Sequence, residues 1–168
     1  MSDPTQGAVA VGDDAPTFTL PTAGDEGIDP RPLGDHIADG PAVLAFFPGA
    51  FSGTCTAEFS TFRDRLLPLA GGSGTVLGIS TDLPWALATF REQESLPFPL
   101  AADNDAAVCE AYGVDTRYER WDIDAVTRRA VFVVDEAGVV TYRWLADDPG
   151  QEPPYDEVAA AVNDAARR

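Results

Sequence analysis

One of the two cysteines stands where a reactive thiolate could form. Cys55 follows a turn-rich stretch over 48–54 and begins a segment whose apolar residues recur every three or four positions, as on one helix face. The first N–H groups of a helix lack intrahelical partners, and the macrodipole places partial positive charge there, so a thiolate is stabilised. Because free cysteines are also commonly buried as small apolar side chains, Cys55 alone leaves both interpretations open.

Three side chains near Cys55 favour the reactive interpretation. Ser52, three positions earlier, carries a hydroxyl that can hydrogen-bond a thiolate or a bound oxygen. Pro48 fixes its own φ and offers no N–H. Glu58 lies one helical turn after Cys55, where its carboxylate can hold an arginine.

The elements that would position Cys55 follow from apolar patterning. Residues 42–47 form an apolar run typical of a buried strand, and Thr75–Ser80 forms a second one. A helix over 55–69, ended by a glycine-rich stretch over 71–74, connects the two runs. A strand, a helix and a strand in this order predict parallel pairing with a right-handed crossover.

The order of the later elements is typical of a thioredoxin-like fold. A hairpin over 129–145 follows two βα units, and a terminal helix over 155–166 would cover one face of the sheet. We therefore predict an α/β protein with a thioredoxin-like fold, in which helices flank a central mixed sheet. Its site would lie at the carboxyl end of the first central strand.

The remaining predicted elements are a strand over 15–20, a helix over 83–94, a helix over 104–112 that ends at Gly113, and loops over 21–31 and 114–126. The predicted buried side of the helix over 83–94 carries Trp85, Leu87, Ala88 and Phe90. Trp85, Tyr118 and Trp121 could also line the entrance of the site or a dimer contact, and a core or loop-packing role is the alternative.

The stretch Pro48-x-x-x-Ser52-x-x-Cys55, within FFPGAFSGTCTAEF, resembles the active-site motif of the peroxiredoxins. Three residue types stand at set spacing inside a predicted strand, turn and helix, so the resemblance is specific. It is nearest to the one-cysteine, alkyl hydroperoxide reductase E-type branch. The resemblance implies a thiol peroxidase that reduces hydrogen peroxide and organic hydroperoxides through a cysteine sulfenic acid. It also implies a homodimer.

The resemblance further implies an arginine immediately before a strand. The register of TRRAVFVVD matches Arg129, whose guanidinium is always charged and presents a rigid fork of donors. Arg128 is the alternative, since neighbours on a strand face opposite ways. Without the family register, either arginine could be a surface charge at the end of a strand.

The implied roles divide the chemistry among five residues. Arg129 and the helix N-terminus hold Cys55 as a thiolate, and Glu58 orients the arginine. Ser52 and the backbone N–H of Cys55 fix the peroxide oxygens in line with the sulfur. Pro48 shields the sulfur from bulk water and limits further oxidation.

Reduction of the sulfenic acid depends on the second cysteine. Ser60 stands where the resolving cysteine of a two-cysteine enzyme would lie five residues after Cys55. Cys109, in AVCEAYGV, aligns with a core-facing helix, which favours a structural role. A one-cysteine enzyme then needs an external thiol: a thioredoxin- or glutaredoxin-like protein or a low-molecular-weight thiol. A cycle through Cys109 remains the alternative.

Two other functions fit the same fold. A thiol–disulfide oxidoreductase needs Cys-x-x-Cys, but Ser52 and Glu58 occupy the positions three before and three after Cys55. A non-enzymatic thioredoxin-like binding or holdase module would need neither the motif nor the arginine. Slow alkylation of Cys55 and no consumption of peroxide would favour that module.

Composition limits the partners and the compartment. The formal net charge is −17, and all 11 basic residues are arginine, so nucleic acid and anionic membranes would be repelled. This balance is typical of a solvated surface and also fits adaptation to high salt, where the Debye length is about 3 Å at 1 M. We find no secretory signal and no apolar run long enough to span a bilayer, and we expect a cytoplasmic protein.

Length and metal-ligating residues complete the predictions. The 168 residues suffice for one domain, over 15–168, after a flexible N-terminal segment over 1–14. The two cysteines lie far apart, and His36 is the one histidine of the sequence, in a polar stretch where we expect it to be exposed. We therefore expect neither a metal nor a cofactor.

Overall fold

The fold is built on three adjacent strands at the centre of one sheet. The computed structural model describes residues 7–66 and 74–167. Strand β3 (Ala42–Phe46) pairs in parallel with β4 (Thr75–Ser80) and antiparallel with β8 (Ala130–Val134). Every residue of β3 and β8 is buried. Strands covered on both faces have no polar side, which explains their continuous apolar runs.

Four further strands extend this sheet to both sides. In the described part of the chain the order across the sheet is β2-β1-β5-β4-β3-β8-β9, and a separate pair, β6 and β7, stands outside it. Parallel and antiparallel pairs both occur, so the sheet is mixed. The additional strands are β1 (Thr19–Gly24), β2 (Gly27–Pro32), β5 (Leu100–Ala102), β6 (Asp115–Tyr118), β7 (Ile123–Thr127) and β9 (Val140–Leu145).

Helices cover both faces of the sheet. Their bounds are α1 (Leu33–His36), α2 (Gly53–Thr61), α3 (Pro84–Gln93), α4 (Ala107–Tyr112) and α5 (Tyr155–Ala166), with a π-helical turn over Phe62–Leu66 and a 3₁₀ turn over Glu119–Trp121. Alternate residues of β3 enter two separate cores, because successive strand side chains point to opposite faces. Val43 and Ala45 pack with α2, α3 and α5, whereas Leu44 and Phe46 pack with α1 and α4.

The predicted fold class, a thioredoxin-like α/β protein with a central mixed sheet flanked by helices, is confirmed. The parallel β3–β4 pair and the terminal helix lie where the sequence predicts them. Helix α2 begins near its predicted start, but the predicted end at 69–74 falls mostly outside the described residues.

Two segments predicted as loops form strands. Residues 21–31 lie mostly in the β1–β2 hairpin, which turns over residues 25–26 and enters β2 at Gly27 with a φ of +107°. Strand β2 is an edge strand and carries two prolines, which an edge tolerates because it needs fewer N–H donors. Residues 115–127 form the β6–β7 hairpin.

Two side chains lie opposite to their predicted environment. Trp85 was expected on the buried side of α3 but is 68% exposed. The buried positions of α3 are Pro84, Leu87 and Phe90, spaced by three, so the adjacent Trp85 turns away from them. His36 was expected to be exposed but is buried at the end of α1.

The described part of the N-terminal segment runs against the sheet domain. The N–H of Val9 donates to the carbonyl of Tyr112, and the N–H of Gly12 donates to the carbonyl of Val140. The Arg143 guanidinium donates to the carbonyl of Val9 at 3.2 Å. The flexibility of residues 1–14 stays a prediction. Among the described helices, none has the length and apolar character that crossing a bilayer requires.

Candidate active site

Cys55 lies in the first turn of α2, at the carboxyl end of the central strand β3. Ser52 is the residue that caps this helix, with extended backbone angles, and Cys55 is the third residue after it. The thiol is fully buried. Cys55 therefore lies where the sequence predicts it, at the N-terminal end of the helix, where the macrodipole is positive.

Arg129 joins Cys55 to Glu58. Its Nη2 donates to the Sγ of Cys55 at 3.3 Å, and its Nη1 donates to the Oε1 of Glu58 at 2.8 Å. The Arg129 side chain is 1% exposed, and its guanidinium also donates to the carbonyl of Pro149 at 3.0 Å. Arg128 instead donates from Nε to the carbonyl of Ala146. The arginine at the predicted register is thus the one in contact with the sulfur.

The charge of Arg129 is secured by its partners. Burial by itself lowers the pKa of the Arg129 guanidinium, but its electrostatic interactions and hydrogen bonds with Glu58 and Cys55 raise it by more. The net pKa is raised, so the arginine stays charged. It therefore presents a fixed positive charge to the sulfur inside a site that excludes water.

Glu58 is a fully buried carboxyl group with one unpaired oxygen. Its Oε1 is paired with Arg129, whereas its Oε2 has no hydrogen-bond partner among the described residues. Burial raises the pKa of Glu58 from 4.5 to about 7, which outweighs the lowering by the Arg129 charge and hydrogen bond. The nearby carboxylate of Glu152 raises it further.

Ser52 and Pro48 lie at the opening of the site. The Ser52 hydroxyl donates to the carbonyl of Gly49 at 3.0 Å, and the Ser52 carbonyl accepts from the N–H of Thr56. The exposed Ser52 and the half-buried Pro48 both line the adjoining cavity. The five predicted site residues thus surround one place, three of them in direct contact and two at its rim.

The cavity above this site has a volume of about 920 Å³. One wall is the β6–β7 hairpin, which contributes Tyr118, Trp121 and Ile123. Arg120 lies over the Trp121 ring, with its guanidinium carbon 5.1 Å from the ring centroid. Burial, and then the charge of Cys55, raise the pKa of Tyr118, so its phenol lies within electrostatic reach of the sulfur.

Sequence reasoning missed this wall. Tyr118 and Trp121 were considered as residues of the pocket entrance or of a dimer contact, in a segment predicted as a loop. Exposed and half-buried positions alternate in β6, but the first three positions of β7 are all exposed and the last two are buried, so β7 lacks the alternation of a half-buried strand. The closely spaced aromatics of RYERW were the available signal.

Cys109 lies far from this arrangement in the fold. It packs in the core on the α1 and α4 side of the sheet, whereas Cys55 packs in the core on the other side. Its N–H donates to the Oδ2 of Asp103 at 2.8 Å. Burial, followed by hydrogen bonding to Asp103, raises the pKa of the Cys109 thiol. Both thiols are free.

The described residues contain no cluster of three or more histidine, cysteine, aspartate or glutamate side chains that could hold a metal ion.

Comparison with known proteins places these features in a family. The AhpC/TSA family model matches residues 11–143. A putative peroxiredoxin bcp from Coxiella burnetii is 38% identical over 138 residues, which cover 82% of this chain and 89% of that protein. Peroxiredoxin Bcp from Escherichia coli K12 is 36% identical over 134 residues, which cover 78% and 82%.

Solved structures of proteins with peroxiredoxin names superpose on this chain over most of its length. Peroxidoxin BcpB from Mycobacterium tuberculosis superposes with a TM-score of 0.76 at 29% identity, covering 94% of this chain and 96% of that one. A peroxiredoxin-like protein from Aquifex aeolicus gives a TM-score of 0.81 at 28% identity, covering 94% and 88%.

The predicted family is confirmed. The relatives named here are of the Bcp type, and the assignment to the one-cysteine, alkyl hydroperoxide reductase E-type branch stays a prediction. The chain belongs to the AhpC/TSA family and is a peroxiredoxin, a thiol-dependent peroxidase that takes a peroxide as substrate and a thiol as reductant.

Proposed function

We propose that Cys55 is the cysteine that attacks the peroxide, and that it completes the cycle without a second cysteine of this chain. The observation that carries the proposal is the buried Arg129 guanidinium, which donates to Sγ of Cys55 at 3.3 Å while it is held by Glu58. A fixed cation and a helix N-terminus both act on this sulfur, and both place positive charge beside it.

The reaction begins when a peroxide enters the cavity beside Ser52 and Arg129. The Cys55 thiolate attacks the nearer peroxide oxygen, so that an S–O bond forms as the O–O bond breaks. Sulfur loses two electrons, and the peroxide gains them. The leaving oxygen takes up a proton and departs as water or an alcohol, and Cys55 becomes a sulfenic acid.

The other residues act on the charge that moves during this step. The guanidinium of Arg129 stabilises negative charge on sulfur and then on the leaving oxygen, as preorganised donors do in a water-excluded site. The hydroxyl of Ser52 and the N–H of Cys55 position the peroxide. Pro48, at the cavity wall, keeps bulk water from the sulfur, and Glu58 fixes the guanidinium plane.

Return to the thiol requires an external reductant. A thiolate attacks the Cys55 sulfenic acid, water leaves, and a mixed disulfide forms; a second thiol then releases Cys55 and takes the disulfide. A thioredoxin- or glutaredoxin-like protein or a low-molecular-weight thiol supplies both thiols. Cys109 is buried in the core on the opposite side of the sheet, which supports this scheme over a cycle through Cys109.

The test is intact-mass spectrometry of the reduced protein after one equivalent of hydrogen peroxide, with and without a sulfenic-acid trap. We expect one trapped adduct in the wild type and in Cys109→Ser, and none in Cys55→Ser. Loss of two hydrogens through a Cys55–Cys109 disulfide would replace the scheme by a two-cysteine cycle. An unchanged mass would remove Cys55 from the reaction and favour the binding or holdase module.

We also propose that the protein forms a homodimer beside the site. Contiguous exposed apolar surface is typical of interaction sites. The large exposed apolar side chains near the cavity and its flanking turns are Phe51, Leu83, Trp85, Trp121 and Ile123. Light scattering at two protein concentrations measures the assembly, and a monomer at both concentrations would contradict the proposed dimer.

A cytoplasmic location and the absence of nucleic-acid and membrane partners stay predictions.

A further inference from the structure

The carboxyl group of Glu58 is placed where its ionised form is poorly compensated. The side chain is fully buried, and its Oε1 accepts a hydrogen bond from Arg129 at 2.8 Å. Its Oε2 is buried and meets no donor in the described part of the chain. A buried carboxylate oxygen without a hydrogen bond carries a desolvation cost that a bound proton removes.

The charged groups around Glu58 leave one cation facing several anions. Cys55 lies on the same helix, and Arg129 reaches Glu58 from the start of β8. From the segment that leads into α5, the Glu152 carboxylate acts on Glu58, and Tyr155 lies within electrostatic reach. The hydroxyl of Tyr155 donates to Glu152 at 2.7 Å. Glu58 therefore shares Arg129 with the sulfur.

Burial raises the pKa of Glu58 to about 7, in agreement with this geometry. The cause is the loss of hydration, since the Arg129 charge and hydrogen bond act in the opposite direction. A carboxyl group in this range changes its protonation state when a neighbouring charge appears or disappears.

We propose that Glu58 holds a proton on Oε2 while Cys55 is a thiolate, and that it releases this proton when Cys55 becomes a sulfenic acid. The proposal rests on the proposed function of Cys55. Arg129 connects the two events, because it contacts both the sulfur and the carboxyl group.

Charge balance is the reason for the coupling. Before the reaction the three groups carry a thiolate, a guanidinium and a neutral carboxylic acid, and their net charge is zero. Oxidation removes the negative charge from sulfur, and the ionised carboxylate of Glu58 then replaces it beside Arg129. The sum is a thiolate, a carboxylic acid and a peroxide giving a sulfenic acid, a carboxylate and an alcohol or water.

Glu58 thus acts as a positioning residue with a variable charge. In the reduced state its neutral form leaves the full guanidinium charge to the thiolate. In the oxidised state its carboxylate holds Arg129 in place after the thiolate charge has gone. Because the coupling is reciprocal, ionisation of Glu58 at higher pH weakens the hold of Arg129 on the thiolate.

Infrared difference spectroscopy tests this coupling directly. The spectrum of the reduced protein is subtracted from that of the protein after one equivalent of hydrogen peroxide, at pH 6, which lies below the pKa of about 7 of Glu58. We expect the loss of one carboxylic acid C=O band per chain and the gain of carboxylate bands. Glu58→Gln should lack this change, since an amide has the same shape and cannot ionise. Glu157→Gln is the matched control and should keep it, since Glu157 contacts Tyr142 and not Glu58.

A labelled wild type keeps the test independent of the variants. Incorporation of ¹³C-glutamate should move the band, which assigns it to a glutamate even if Glu58→Gln fails to fold. Intact mass of the same sample separates the two hypotheses. Gain of one oxygen with no change in a carboxylic acid band would overturn the coupling and leave the role of Cys55 standing. No gain of oxygen would overturn both.

Discussion

At the scale of single residues, the guanidinium of Arg129 donates to three acceptors at once, which no other basic side chain could do with the same geometry. It donates from Nη1 to Glu58, and from Nη2 to Cys55 and to the carbonyl of Pro149. The planar fork holds these acceptors in fixed directions. An ammonium group on a flexible stem can supply the charge but not this geometry.

We therefore expect Arg129→Lys to lower the rate constant for oxidation of Cys55 by about 10²-fold, a typical loss when one preorganised donor is removed. Stopped-flow tryptophan fluorescence after mixing with peroxide measures this rate. Arg128→Lys is the matched control and should change the rate little, because Arg128 donates to the carbonyl of Ala146. An equal loss in both variants would argue against a specific role for Arg129.

Most of the site could be predicted because its residues are close in sequence. Pro48, Ser52, Cys55 and Glu58 belong to one turn and the helix after it, where spacing alone decides which side chains are neighbours. Arg129 comes from a distant strand and was predicted from its register. The carbonyl of Pro149 carries no sequence signal at all, since every residue has one.

At the scale of elements, the β6–β7 hairpin departs most from the sequence prediction. Its register shifts between Thr116 and Tyr118, and Asp122 and Ala125 adopt positive φ angles of 54° and 53°. A short ribbon with a bulge and left-handed residues lacks the regular alternation by which strands are predicted. The central strands were predictable because burial on both faces requires long apolar runs.

Helix α4 shows how one glycine can end an element. Gly113 ends α4 with a φ of +73°, as the sequence predicts for a glycine in this position. A Cβ at this position would lie 2.0 Å from the carbonyl oxygen of Gly7, in the N-terminal segment. A side chain at position 113 would therefore destabilise the protein for two reasons, the positive φ and the close contact with Gly7.

Gly138 separates these two effects. It has a φ of +82°, and a Cβ there would have no atom within 4 Å. We expect Gly138→Ala to lower the free energy of unfolding by about 1 kcal/mol, the usual cost of a left-handed alanine. Gly113→Ala should cost about 1 to 3 kcal/mol more, because the N-terminal segment must move. Urea unfolding measures both, and equal losses would show that this segment shifts without cost.

At the scale of the whole molecule, the change of stability with pH depends on two buried ionisable groups, His36 and Glu58, on different sides of the sheet. His36 lies with α1 and has a buried Nε2 that finds no hydrogen-bond partner in the described structure. Burial, and then the charge of Arg31, lower the pKa of His36 from 6.5 to about 4. Its burial could not be predicted from the polar residues around it in the sequence, because the covering atoms come from elsewhere in the fold.

The two groups should change stability with pH in opposite directions. Between about pH 4 and 6.5 the unfolded chain binds a proton at His36 that the native protein does not, so stability rises with pH. Between about pH 4.5 and 7 the native protein holds a proton at Glu58 that the unfolded chain has lost, so stability falls as pH rises. Each contribution is at most roughly 3 kcal/mol, so over the shared range they largely cancel.

Single variants should reveal the two slopes. Relative to the wild type, His36→Gln should lose stability as pH rises from 4 to 6.5, because it lacks the gain that His36 gives the wild type over this range. Relative to the wild type, Glu58→Gln should gain stability as pH rises from 4.5 to 7, because it lacks the loss that Glu58 causes in the wild type over this range. Urea unfolding at a series of pH values measures both. Differences from the wild type remove the contribution of the other carboxylates, which all three proteins share, so curves that stay parallel would mean that neither group titrates differently in the native protein.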